Sequence, residues 1–359
     1  MKINHFFKSF LATSLFLPMI SGCSSTEIID SKQEGIILGD EIILNLSSPE
    51  SLSTRVDDGH KLRYIAVIYE GTLGGSTFTF IDRKEITDGE NDRNTIIFRV
   101  LPNYDYKIIL FADYIPSNYE KDENGYFKDY YYDTSMPVPP GDSQGGQGII
   151  TMRSFIDSDG SSILSQHCIN NDNYDCFSLA MDYIHKTEEV VEEDVILKRA
   201  VAKVRFVSTT GLAEDFKRIT FSSFDFYNQF NIMGNDASRT WTTFKKDWLS
   251  DKSFSEMTNP GENEIFYFYT LAPTQATIEN RLKKLEFSVE TENESLKEIN
   301  VSIEDFLLPV QRNSITTVKG AFLPGIQVED PENDGKGDII LHITSNQEWN
   351  EAGLSYEIK

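Results

Sequence analysis

Basic residues, histidine and cysteine are all scarce in this chain of 359 residues, where 33 Lys and Arg stand against 57 Asp and Glu, with five His and three Cys. The deficit of positive charge leaves a formal net charge of -24. That excludes a grip on nucleic-acid phosphates and adhesion to anionic lipid heads. Apart from His5 the histidines are His60, His167, His185 and His342, and none sits in an HxxxH or HExxH spacing. No zinc centre is expected from them. The nucleophile elbow, the phosphate-binding loop and the dinucleotide fingerprint are also missing, so no enzymatic activity, metal or cofactor is expected. Two acidic turns, Asp157 to Gly160 and Asp330 to Gly335, are read as solvated turns; the second begins like a calcium loop, but Leu341 occupies the place where that loop needs its bidentate glutamate.

Long hydrophobic runs are lacking too. The apolar stretch Phe10 to Ile20 is too short to span a bilayer. With Lys2 and Lys8 before it and small residues after it, it reads as a signal peptide over residues 1–22. The order Ile20-Ser21-Gly22-Cys23 resembles a bacterial lipobox, which makes Cys23 the lipidated first mature residue; a plain secretory signal cleaved nearby is the alternative. Acyl chains at Cys23 anchor stably, since each buried CH₂ contributes about 0.8 kcal/mol. The expected address is therefore an outer membrane lipoprotein, with residues 23–35 as a polar tether. Cys168 and Cys176 remain, and in an oxidising compartment a disulfide between them is expected, two free buried thiols being the other state.

Helical periodicity is the last absence. In its place stand short runs rich in β-branched and aromatic residues, among them Ile36 to Leu46, Leu62 to Tyr69, Asn94 to Val100, Tyr104 to Phe111, Phe177 to His185, Glu264 to Leu271 and Ile315 to Phe322. Turn residues bound each of them. This spacing predicts an all-β chain, and its length predicts two tandem β-sandwich domains. Their expected limits are residues 36–197, with a long irregular insertion after Phe111, and residues 198–326. Residues 327–359 form an acidic linker and one more strand, Asp338 to Thr344. Val195 to Val207 joins the two domains: Val195 and Leu197 share a parity with Arg199, whereas Ala200, Ala202, Val204 and Phe206 take the other. Strand side chains alternate with a period of two, so this change of parity predicts a handover between sheets, with Lys203 and Arg205 facing solvent.

Three segments carry a family resemblance: LKRAVAKVRF at the junction, LPVQRNSITTVKGAFL at Leu308 to Leu323, and FADYIPSNYEKDENGYFKDYYYDT at Phe111 to Thr134. With the last strand before Trp349 they are similar to the Bacteroidales fimbrillin family and its two-domain lipoprotein relatives. The most specific match is R-N-x-x-T-x-x-x-G at Arg312, Asn313, Thr316 and Gly320. The resemblance implies two transthyretin-like sandwiches and a place at the cell surface or in a fimbrium, as stalk, tip or anchor. It implies other fimbrial subunits as partners, further copies of this chain included, and a host or bacterial surface receptor. It also implies cleavage by a trypsin-like protease, for which Arg55 is the candidate, releasing Ile36 to Leu46. A donor strand, carrying Ile339, Ile340, Leu341 and Ile343, then completes a neighbour's sheet by edge pairing.

One rival function has sequence support. Tyr114, Tyr119, Tyr126, Phe127, Tyr130, Tyr131 and Tyr132 crowd one irregular segment. Exposed rings there make a monomeric lipoprotein that stacks on glycans, and buried rings remove that reading.

Overall fold

The computed structural model describes residues 40–48, 59–91, 93–134, 148–153, 171–185, 190–208, 216–224, 227–233, 236–238, 263–275, 282, 285–291, 299–303, 308–320, 341–346 and 354–358. All belong to a compact unit that begins at Gly39. Twenty strands and one short 3-10 turn make up the regular structure among the described residues. The fold is all-β.

Strands from the first half form two sheets around one core. The smaller orders β4 (Thr95–Arg99), β1 (Glu41–Ser47) and β9 (Val191–Ile196), with β1 antiparallel to β4 and parallel to β9. The larger orders β10 (Lys198–Arg199), β8 (Cys176–His185), β5 (Tyr104–Pro116), β2 (His60–Thr72) and β3 (Phe78–Thr87), antiparallel throughout. Strands β2 and β5 are buried on both faces, as their near-continuous runs of Ile, Val, Leu, Phe and Tyr require. One face carries Ala66 with Lys84 opposite it, and Lys84 lies 5.4 Å over the Phe98 ring of the smaller sheet. The other face carries Arg63, Ile65, Ile109, Phe111 and Asp113.

The second half supplies two more sheets. One orders β15 (Asn263–Leu271), β11 (Val201–Ser208), β18 (Ile315–Gly320), β19 (Leu341–Asn346) and β20 (Leu354–Ile358), with β11 and β18 parallel. The other orders β12 (Phe216–Phe224), β16 (Leu285–Thr291) and β17 (Ile299–Ile303). A fifth sheet mixes the halves, in the order β14 (Asp236–Ser238), β13 (Gln229–Asn231), β7 (Ile149–Met152) and β6 (Tyr132–Asp133). Its β7 covers the second face of the large sheet. Gly148, at φ +70, leads into β7 so close to Ile109 that an added Cβ would stand 2.5 Å from a methyl of that side chain.

Some expected strands end elsewhere. Strand β5 runs to Pro116, so the irregular insertion begins later than its composition suggests. The acidic run before the junction is itself a strand, β9, although Glu and Asp are poor strand formers. Asn45 on β1 compensates, its amide donating to Glu192 at 2.8 Å and to Asp194 at 2.9 Å.

The handover at Val195 to Val207 is present and sharper than parity alone indicates. The segment passes through three sheets in turn, as β9, β10 and β11. Lys203 departs from expectation. It is 5% exposed, because Asp172 reaches its ammonium at 3.1 Å and the Tyr267 ring lies 3.6 Å beneath it.

Candidate functional site

Strand β1 is the first of the described strands and the middle one of its sheet. Ile42, Leu44 and Leu46, spaced by two, enter the core with almost no exposure. Backbone bonds hold both ends: Asp40 accepts from Val100 at 2.9 Å, and Ser47 accepts from Leu197 at 2.9 Å. At its start the buried His185 ring stands 3.5 Å from the Asp40 carboxylate. The expected cleavage residue Arg55 lies in the connection after β1, outside the described residues. Withdrawal of β1 would strip β4 and β9 of ladder partners on facing edges and open three adjacent apolar pockets. A middle strand leaves such a slot, whereas an edge strand leaves only another edge.

At the other end of the chain, Leu341 and Ile343 fall in β19, while Ile339 and Ile340 lie outside the described residues. Strand β19 is not a loose edge. It pairs with β18 on one side, Val318 opposite Ile343, and with β20 on the other, Leu341 opposite Ile358. A single departing strand would take from β20 its ladder partner. Strand β20 is absent from the sequence-based expectations. Its sequence, LSYEI, nonetheless alternates Leu354, Tyr356 and Ile358, the spacing of Ile42, Leu44 and Leu46.

The Arg312 motif proves to be a clasp on the junction. The Arg312 side chain donates to the Arg199 carbonyl at 3.0 Å, to the Ser178 hydroxyl at 3.1 Å and to the Lys198 carbonyl at 3.3 Å, and its guanidinium lies over the Phe230 ring. Asn313 takes φ +56, a conformation that Asn tolerates, and its N–H bonds the Val201 carbonyl. Thr316 donates its hydroxyl to the Pro309 carbonyl. Arg199 is buried in its turn and donates to the Asp175 carboxylate at 2.8 Å. The motif therefore fixes how the covalent link leaves one sheet and enters the next.

A second buried charge cluster secures the aromatic segment. Arg63 donates both arms of its guanidinium to Asp113 at 2.8 Å, reaches Asp129 at 2.9 Å, and donates to the Phe127 carbonyl at 3.2 Å. Glu85 accepts from the Phe127 N–H at 2.9 Å and from Arg83, which also holds Thr134. Burial alone lowers the pKa of the Arg63 guanidinium, but Asp113, Glu85 and Asp129 more than offset it and keep it charged. For Asp113 burial dominates, and neighbouring Asp129 and Glu85 add to it, so its pKa is raised to about 6 despite Arg63.

That shift has a testable sign. Between the unperturbed carboxyl value of 3.8 and about 6, folded Asp113 keeps a proton that the unfolded chain has lost. Its contribution to stability is full below the lower value and disappears as pH rises through about 6. Urea midpoints measured from pH 4.5 to 7 are expected to fall less steeply with rising pH in Asp113→Asn than in the wild type; parallel slopes would contradict this assignment.

The rings do not form a glycan platform. Tyr114, Phe127, Tyr131 and Tyr132 are buried, and Tyr119, Tyr126 and Tyr130 are half-buried. They pack on one another and on the fold: Tyr131 lies 4.6 Å from Tyr130 and 4.7 Å from Tyr174, and Tyr132 meets Phe111 at 5.6 Å. The glycan reading thus loses the observation it stood on. The cleft between Ile65, Ile109 and Ile150 encloses about 30 Å³, room for one water and not for a sugar.

Cys176 is a free, fully buried thiol, and burial pushes its pKa well above the usual range. Tyr132 is the hydrogen-bonding neighbour of the thiol, and Cys168, the other half of the expected disulfide, lies outside the described residues. The lipidation candidate Cys23 lies outside them too. Among the described residues no group of His, Cys, Asp and Glu is placed to hold a metal ion, and no helix is long and apolar enough to cross a membrane.

A family model described as "Family of unknown function (DUF6562)" matches residues 159–359. No curated protein matches the chain. Among solved structures, the chain is similar to the tip fimbrial protein Mfa3 from Porphyromonas gingivalis with C-terminal truncation, at 12% identity and a TM-score of 0.45, covering 85% of this chain and 98% of that one. It is also similar to a fimbrial assembly protein from Parabacteroides distasonis, at 11% identity and a TM-score of 0.41, covering 89% of this chain and 99% of that one.

Proposed function

Because the chain belongs to the family of unknown function DUF6562, for which no activity is established, we propose from its geometry that it is a non-enzymatic fimbrial subunit or fimbrium-associated adhesin of the cell surface, exported as an outer membrane lipoprotein and joined to other subunits by strand donation. One observation carries the reading: β1, the first described strand, is central in its sheet and places three alternate side chains in the core. A segment containing Arg55 separates it from β2. Cutting there releases β1 from the rest of the chain except through its ladders and its pockets. What remains is a slot with unpaired edges, and the hairpin β19–β20 supplies strands of six and five residues against the seven of β1. The sequence resemblance at the junction and around Arg312 supports the same reading.

Anchorage and polymer position follow from which ends are processed. A subunit that keeps acylated Cys23 and its β1 can donate a strand and cannot accept one, so it serves at the base. A subunit cut after Arg55 accepts and donates, and serves along the shaft. Mass spectrometry of the mature chain from assembled fibres is expected to find either an N-terminus at Val56 or an acylated Cys23. Fibres in which neither form occurs would refute the proposal, and acylated Cys23 throughout would exclude the shaft role.

A further inference from the structure

Strand β1 has a near-copy elsewhere in the chain. Residues 41–47 read EIILNLS, and residues 338–344 read DIILHIT. Ile42, Ile43 and Leu44 recur as Ile339, Ile340 and Leu341, while Glu41, Leu46 and Ser47 recur as their near relatives Asp338, Ile343 and Thr344. Asn45 alone changes its chemistry, to His342. Ile36, Ile37 and Leu38 share the apolar triplet but run on into Gly39, so the likeness of residues 338–344 is more than that of any apolar run.

The place of β1 reads several of these positions. Ile42, Leu44 and Leu46 are at most 2% exposed, and the aligned residues Ile339, Leu341 and Ile343 are aliphatic as well. Glu41 pairs in register with Arg99, and Asp338 keeps an acid at that position. Asn45 is 8% exposed. Its amide donates to Glu192 and Asp194 on β9, and its side-chain carbonyl accepts from the Thr95 hydroxyl on β4 at 2.9 Å. A strand that replaces β1 must therefore set a hydrogen-bond donor between two carboxylates, because an acid there leaves them facing like charge.

We propose that residues 338–344 of a second copy of the chain take the place of β1 residue for residue, and that His342 is the residue by which Glu192 and Asp194 select them. This rests on the strand-donation reading and adds the register, the direction and the selecting contact. The incoming segment runs as β1 does, parallel to β9 and antiparallel to β4. Strand β20 is the competing donor. With Leu354, Tyr356 and Ile358 in the three pockets, Glu357 falls in the place of Asn45, and a third carboxyl group against Glu192 and Asp194 disfavours it. In its own sheet His342 has Lys319 and Glu357 as register partners, one cation and one anion. In the place of Asn45 it meets two anions, with Arg93 3.1 Å from Glu192 and largely exposed. A protonated imidazole therefore gains by the transfer.

The chain cut after Arg55 is titrated with labelled synthetic peptides spanning Gly337 to Asn346, and bound peptide is read by fluorescence anisotropy. At about pH 8 the wild-type peptide and its His342→Asn form, which restores the residue of β1, are expected to bind alike, and His342→Glu about tenfold or more weakly. From about pH 8 to about pH 5.5 the wild-type peptide is expected to tighten about threefold or more as the imidazole protonates. The His342→Asn peptide lacks that gain and so corrects for titration elsewhere in the protein. In a chain carrying Glu192→Gln and Asp194→Asn, both at exposed positions, the loss caused by His342→Glu should largely vanish. The peptide series on the unaltered chain changes nothing in the fold, and it decides the matter even if that double variant misfolds. Equal binding of the wild-type and His342→Glu peptides, or tighter binding of a peptide spanning Leu354 to Ile358, overturns the inference and leaves strand donation standing. Failure of every peptide to bind removes the strand-donation reading, and the inference falls with it.

Discussion

Arg63→Met is expected to lower the unfolding free energy by about 3–5 kcal/mol, the cost of leaving buried charges without their partner. Arg63 is fully buried, and three carboxylates, those of Asp113, Glu85 and Asp129, converge on it. Methionine keeps much of the side-chain volume and removes the charge. Arg83 reaches Glu85 but does not replace the paired bonds to Asp113, so that carboxyl must take up a proton or admit water. The damage should also spread locally. The Phe127 carbonyl loses its donor, and the aromatic segment from Tyr126 to Tyr132 loses the anchor that presses it on β2 and β5. Urea denaturation measures the first effect, and hydrogen exchange at the Phe127 amide measures the second. A loss below about 1 kcal/mol, within the range of an ordinary surface pair, would show that the cluster does not hold the fold.

Removal of β1 should have a larger effect still, and a reversible one. Three fully buried aliphatic side chains, Ile42, Leu44 and Leu46, contribute roughly 1.5–3 kcal/mol each, a large fraction of the stability of a typical domain. A chain cut after Arg55 and stripped of β1 is therefore expected to melt well below the intact protein. Added peptide spanning Leu341 to Ile358 is expected to raise the melting temperature again with concentration, because ligand that binds only the folded state stabilises it by mass action. Peptides with Leu354→Asp and Ile358→Asp, or with Leu341→Asp and Ile343→Asp, identify the inserted strand of the hairpin. Whichever pair abolishes the rescue contains it. A melting temperature unaffected by the removal of β1 would mean that the three pockets close by themselves, and no slot would exist to be filled.

Different parts of this architecture were legible to different degrees. Strands with continuous or alternating apolar residues, such as Leu62 to Tyr69 and Glu264 to Leu271, announce themselves because a sheet face buries every second residue whatever its partners are. The change of parity at Leu197 to Ala200 is visible for the same reason. The acidic β9 was hidden, since its pairing depends on Asn45, a residue about 150 positions away. Burial of Lys203 was hidden as well, because the carboxylate and ring that cover it come from Asp172 and Tyr267. The R-N-x-x-T-x-x-x-G pattern could be recognised but not explained until Arg312 was placed against the carbonyls of Lys198 and Arg199.

Composition and periodicity alone determined that the chain is all-β, acidic and without the residue patterns of known catalytic sites, because these properties belong to single segments and to sums over residues. The tertiary structure decided which strands are central in their sheets, that the aromatic rings pack against the fold, and that Lys203 and Arg199 are buried. Those are relations between segments far apart in the chain, and hydrogen-bond register, which no local pattern specifies, sets them.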